Sequence, residues 1–287
     1  MNRFSKIMFF FVVLSLMLSC AHSKNSGPDP VLLDASVPFA SKFIRVAGGA
    51  FMMGSPESEA GRSSNEGPQH RVTLKAFFIS QCEVTQQEYQ ELMGINPSNN
   101  KGSHLPVEQV TWYDAIEYCN IRSVSEGYTP AYTRAGNTVT WNRNANGYRL
   151  PTEAEWEFAC RAGTTAPFFS RNSISTDQAN YNGNFPYDDD TKGSYLGKTW
   201  SVTMGEPNLL GLYNMSGNVA EWCWDRSGSY SGWAETDPPG STTGVNRVAR
   251  GGSWVDRAQD LRSAARRDYS PMTRNADLGF RVVRPAS

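Results

Sequence analysis

Reactive side chains are scarce in this chain. Histidine occurs 3 times, at His22, His70 and His104, and cysteine 5 times with no CxxC spacing. So few imidazoles argue against a histidine-rich metal site. The later cysteines, Cys82, Cys119, Cys160 and Cys223, cannot be paired from sequence alone. Neither sign of charge dominates. Lys and Arg number 27 against 28 Asp and Glu, a formal charge of −1, which argues against non-specific binding to nucleic acid. Aromatic residues (12%, with 8 Trp) and Gly (25) are plentiful. They suit a loop-rich fold with an aromatic core.

One apolar run stands out, Ile7 to Leu18, behind the basic residues Arg3 and Lys6. It is too short to span a bilayer comfortably and ends in Leu18-Ser19-Cys20. The pattern resembles a bacterial lipoprotein signal. Cleavage before Cys20 would leave its thiol and amine for acyl chains, and two or three chains anchor stably. Residues 1–19 are therefore expected to be a signal peptide. Residues 20–42 form a polar tether containing Gly27, Pro28 and Pro30, with nothing to bury. Residues 43–287 show no linker-like break and are expected to form a single domain. The expected location is the bacterial cell envelope, anchored to the outer membrane by lipid and exposed at the surface.

Residues 43–54 predict two short strands around Gly48-Gly49, and residues 70–80 a half-buried strand. Thr85 with Glu88, Thr111 with Asp114 and Thr152 with Glu155 mark three helix starts by the capping-box pattern. Trp112, Ala115, Ile116 and Cys119 fall at helical spacing, as do Trp156, Ala159 and Cys160, so those faces are expected in the core. Cys119 then reads as a core residue and not a nucleophile. Beyond Gly163 long helical patterns stop, and Asp188-Asp189-Asp190 reads as a solvated loop. Helices against a small sheet, then a long irregular half, predict an α+β, loop-rich architecture.

Several segments together resemble the formylglycine-generating-enzyme (sulfatase-modifying factor) family. They are Gly48 to Gly54, Glu83-Val84-Thr85, Pro106 to Trp112, Tyr148 to Glu157, Gly211 to Trp222, Arg250 to Trp254 and Leu278 to Arg281. They stand in family order over nearly all of the domain. The resemblance implies a C-type-lectin-like fold of the family's elaborated type. It also implies calcium, as a possible structural ion, at Asn214, Gly217, Val219 and Glu221, hard oxygen donors suited to that ion. A further site would fall at Asn180, Tyr181 and the Asp188 to Asp190 loop.

The family's oxidases bind copper(I) through two cysteines after the Gly-Gly-Ser-aromatic motif, and thiolates suit that soft ion where carboxylates do not. Here Asp256 matches the first position and Asp260 lies near the second, and no cysteine follows Cys223. The expectation is no copper and no catalytic residue. Trp254 to Pro285 resembles instead the variable region of proteins diversified by bacterial retroelements. The expected ligand-binding residues are Trp254, Val255, Asp256, Arg257, Asp260, Ala265, Arg267, Asp268, Tyr269, Ala276 and Asp277, in a variable segment of about 254–277. Tyr, Trp and Arg are favoured at binding surfaces. Arg250, Arg262, Arg266 and Arg281 read as structural, pairing with acids and carbonyls.

The sequence thus points to a surface-displayed lipoprotein with a diversified binding pocket, without catalysis, taking an unnamed protein or glycan ligand. A divergent modifying enzyme and a scaffolding envelope lipoprotein are the alternatives.

Overall fold

A computed structural model describes residues 43–286, apart from Arg171 and Asp189. The expected signal peptide, Cys20, the tether and the middle acid of the Asp188 to Asp190 loop lie outside the described residues.

Helices α1 (Gln86–Met93), α2 (Trp112–Ser125) and α3 (Glu153–Arg161) begin at the expected threonines. In each, the threonine hydroxyl accepts the N–H three residues on. The acid there accepts the threonine N–H in return, Glu88 at 3.0 Å, Asp114 at 2.7 Å and Glu155 at 2.9 Å. The shorter Asp114 closes the box as well as the glutamates do. Such a cap contributes about 1 kcal/mol.

The strands in chain order are β1 (Phe43–Val46), β2 (Gly49–Met53), β3 (His70–Leu74), β4 (Phe77–Ser80), β5 (Tyr132–Ala135), β6 (Thr138–Trp141), β7 (Ala220–Arg226), β8 (Glu235–Thr236), β9 (Arg247–Arg250), β10 (Arg266–Tyr269), β11 (Leu278–Gly279) and β12 (Val283–Pro285). They form three sheets, ordered β1-β4-β12, β2-β3-β8 and β10-β9-β7-β11, and the hairpin β5-β6. The expected strand over 70–80 is split into β3 and β4. Lys75 N–H leaves the ladder for Asp237 Oδ1 at 2.8 Å. Gly48 lies against the break, where an added Cβ would stand 2.5 Å from Leu74 O.

The half expected to be irregular holds the four-stranded sheet. Its two central strands, β7 and β9, are buried along most of their length, so they lack the alternation that marks a half-exposed strand.

Three clusters make the core. One joins α1 and α2 through Trp112, Tyr118, Tyr148, Trp222 and Phe280. A second surrounds Trp156, Cys160, Met215 and Cys223. A third, with Phe168, Tyr181, Ala258 and Leu261, lies under the C-terminal segment. Buried indoles are satisfied: Trp112 donates to Cys223 O at 2.9 Å and Trp222 to Val110 O at 3.0 Å. All four later cysteines are buried, and no disulfide joins any two of them. Burial pushes the Cys119 thiol far up, which fits its core position.

Candidate functional site

The C-terminal segment leaves β9 through Gly251 and Gly252, at φ 92° and 64°. Any Cβ would also press on Trp156 at the first and lie 2.8 Å from Asp260 O at the second. Both positions therefore need glycine. Ser253 Oγ then stands 2.8 Å from Asp256 Oδ2 and 3.2 Å from Asp277 Oδ2. One hydroxyl proton serves two acids, and Asp277 is raised above the usual carboxylate range, first by burial and then by Asp256.

Arg267 reaches into this group from β10. Its Nη1 lies 2.6 Å from Asp256 Oδ1 and its Nη2 3.2 Å from Asp260 Oδ2. A guanidinium thus bridges Asp256 and Asp260. Tyr269 lies beside Arg267 on the same side of the strand, and Arg257 approaches Asp260 at 3.5 Å. Trp254 donates its indole N–H to Ala276 O at 3.1 Å and stacks on Tyr195 at 6.3 Å. Val255 and Arg257 are exposed.

Most of the expected binding residues therefore meet on one face, with three corrections. Asp256 and Ala265 are each only 8% exposed; Asp256 anchors Arg267, and Ala265 packs below the surface. Asp268 lies one residue out of phase with Arg267 and Tyr269, and strand alternation turns it to the opposite face. There it is exposed and accepts Asn246 Nδ2 at 2.6 Å.

Sequence reading missed Tyr195 and Phe185. The loop carrying them docks through Asn182 N–H to Asp256 O (2.8 Å) and Ala258 N–H to Phe185 O (3.1 Å). Tyr195 and Phe185 are exposed, Tyr195 against Trp254. Exposed aromatics in a polar loop were the signal available.

Behind the face stands a frame of ion pairs. Arg262 grips Glu66 at 2.7 Å and Glu59 at 2.6 Å. Arg266 holds both oxygens of Glu153, at 2.5 and 2.7 Å. Arg250 pairs with Glu157 and donates to the carbonyls of Ser263 and Ala265. Arg281 clasps Glu221 at 2.6 and 2.7 Å. The four arginines expected to be structural are so, and none of these acids lies in the variable segment.

The side chains at the expected calcium positions do not fit the ion as arranged. Both oxygens of Glu221 are taken by Arg281, and Oε2 also accepts the Trp156 indole at 2.7 Å. Asn214 Oδ1 accepts the Trp200 indole at 3.0 Å. Asn214 and Asn218 also donate to Glu83, at 3.1 and 2.8 Å. Glu83 is pushed up to about 7 by burial, with Arg281 opposing and Glu221 adding to the shift. At the second expected site Asn180 Nδ2 is tied to Lys198 O, and Tyr181 to Ile174 O. Chelation is expected to move the melting temperature by less than about 1 °C, since no ligand is lost on removing calcium; a drop of several degrees, restored by calcium, would show that these side chains rearrange around the ion.

Residues 33–286 match the sulfatase-modifying factor enzyme 1-like domain. The chain belongs to that family. It is 36% identical over 266 residues to a Paenibacillus barcinonensis protein named chaperone protein LppX, covering 84% of this chain and 88% of the relative. It is 30% identical over 282 residues to the formylglycine-generating enzyme of Streptomyces coelicolor, covering 85% and 89%. Among solved structures, Treponema denticola variable protein 1 superposes with a TM-score of 0.73 at 32% identity, covering 85% of this chain and 94% of that one. The fold is thus the family's C-type-lectin-like α+β fold. Among the described residues no helix is long and apolar enough to cross a membrane.

Proposed function

We propose that this family member is a ligand-binding lipoprotein of the bacterial envelope, displayed at the outer surface through Cys20, with a retroelement-diversified face at residues 254–277 and no catalytic step. The observation that carries this reading is the Asp256–Arg267–Asp260 bridge. It sets a charge network unsuited to copper(I) at Asp256, which matches the first oxidase position, and at Asp260, near the second, on a face whose supporting arginines pair elsewhere. Side chains such as Val255, Arg257 and Asp277 can then change without touching the frame. The likeness to a protein named a variable protein supports the same reading. The ligand is a protein or a glycan bound at that face.

The test is sequencing of this locus across a cell population. Substitutions are expected to concentrate at Val255, Arg257, Asp260, Arg267, Tyr269 and Asp277, with Gly211 to Trp222 and the frame arginines quiet. Even variation along the domain would sink the proposal.

The relative named as a chaperone favours a second reading, assistance to the folding of another envelope protein. It predicts that the chain suppresses aggregation of an unfolded protein, unaffected by Val255→Ser or Arg257→Ala.

A further inference from the structure

The frame arginines each end on a carboxylate, but two arginines on the same sheet do not. Arg226 of β7 and Arg247 of β9 stand directly opposite each other in antiparallel register. Like charges so placed repel. Among the described residues, Arg226 donates only to Gly244 O at 2.6 Å and Arg247 only to Trp224 O at 2.5 Å. Neither takes part in an ion pair there.

Arg247 is 6% exposed. Its guanidinium lies 3.7 Å from the Trp112 ring centroid and 5.1 Å from that of Trp224. A third guanidinium, Arg134, sits 4.3 Å over Tyr113, whose ring abuts Trp112 at 5.4 Å. The acids nearby are engaged elsewhere: Asp225 accepts the Glu153 N–H at 2.8 Å, and Asp268 is held by Asn246. Burying a cation without a counter-charge is costly. The cost shows in Arg247, brought down to about 10 by burial first and by Arg226 second.

We propose that Arg226 and Arg247 form a binding site for a tetrahedral oxyanion, a phosphate or sulfate group, beside the half-buried ring of Trp224. The two planar forks offer paired N–H donors, the geometry in which arginine recognises phosphate. An anion between them removes the repulsion and supplies the missing acceptors. The site is distinct from the 254–277 face and does not depend on the reading given for that face.

The purified chain would be titrated with inorganic phosphate and sulfate against chloride at matched ionic strength, following tryptophan fluorescence and melting temperature. Saturable fluorescence change and a rise of several degrees are expected for the oxyanions. Arg226→Gln, at a partly exposed position that should fold, is expected to weaken binding by about tenfold or more. Arg143→Gln, whose ring contact is Trp141, should bind as the parent does. Vesicles of phosphatidylglycerol and of phosphatidylcholine distinguish the source. Binding to the first alone, competed by phosphate, assigns a lipid headgroup, whereas phosphate binding without vesicle binding assigns a free anion. Oxyanions no better than chloride, or equal affinity in Arg226→Gln, would overturn the site.

Discussion

Arg281→Met will lower the free energy of unfolding by about 3–5 kcal/mol. Arg281 and Glu221 are both fully buried. The guanidinium also donates to Tyr213 O at 2.8 Å and Ser80 O at 3.2 Å. Without it Glu221 keeps only the Trp156 indole, and Glu83 loses the one charge that opposes its desolvation. Deleting one member of a buried pair costs far more than the intact pair contributes, because an uncompensated charge is left behind. Urea unfolding should show a lower midpoint at unchanged slope. Adding Glu221→Gln should recover part of the loss. A loss below about 1 kcal/mol for the single variant would mean that water reaches this pair.

The second large effect depends on pH. Asp225 is fully buried in contact with the start of α3, and its carboxyl is pushed up to about 7 by burial and then by Glu153. An unfolded aspartate titrates near 3.9. Between those values the native state holds a proton that the unfolded state has lost. Stability therefore falls as pH rises through this window, and the loss is complete once pH passes about 7. A tenfold difference in proton affinity between the two states corresponds to about 1.4 kcal/mol. Glu66 and Glu153 are shifted downward, and what they contribute is lost only as pH falls below the ordinary glutamate range, outside this window. Asp225→Asn keeps an oxygen for the Glu153 N–H and cannot ionise. It should be more stable than the parent at pH 8, on the order of 1–3 kcal/mol, and the gap should narrow steadily towards pH 5. A constant difference in melting temperature between the two proteins over pH 5–8 would contradict this account.

What could be read in advance followed the range of the interaction. The helix starts were legible because Thr85 with Glu88, Thr111 with Asp114 and Thr152 with Glu155 close within one turn. The hairpin of β5 and β6 had a legible turn, Gly136-Asn137 between alternating residues, which sequence reading passed over. β7 and β9 were not legible, since burial on both faces erases the period-two pattern. At the candidate site, residue types pointed to the right segment. They did not show which side of β10 each would face, so Asp268 was grouped with Arg267. The Arg267 bridge and the opposition of Arg226 to Arg247 join distant stretches of chain. No spacing rule reports such pairs.

The late origin of the sheet's partners bears on how the molecule is made. β7 is flanked by β9 and β11, both of which follow it in the chain, and β4 is completed on one side only by β12. Glu66, Glu153 and Glu157 find their guanidiniums in residues 250–266. A nascent chain stopped short of Arg247 holds these acids without those counter-charges and has neither sheet closed. Such a fragment is expected to be cut by proteases faster than the whole chain. Closure of both sheets and of these ion pairs therefore waits on residues 247–285.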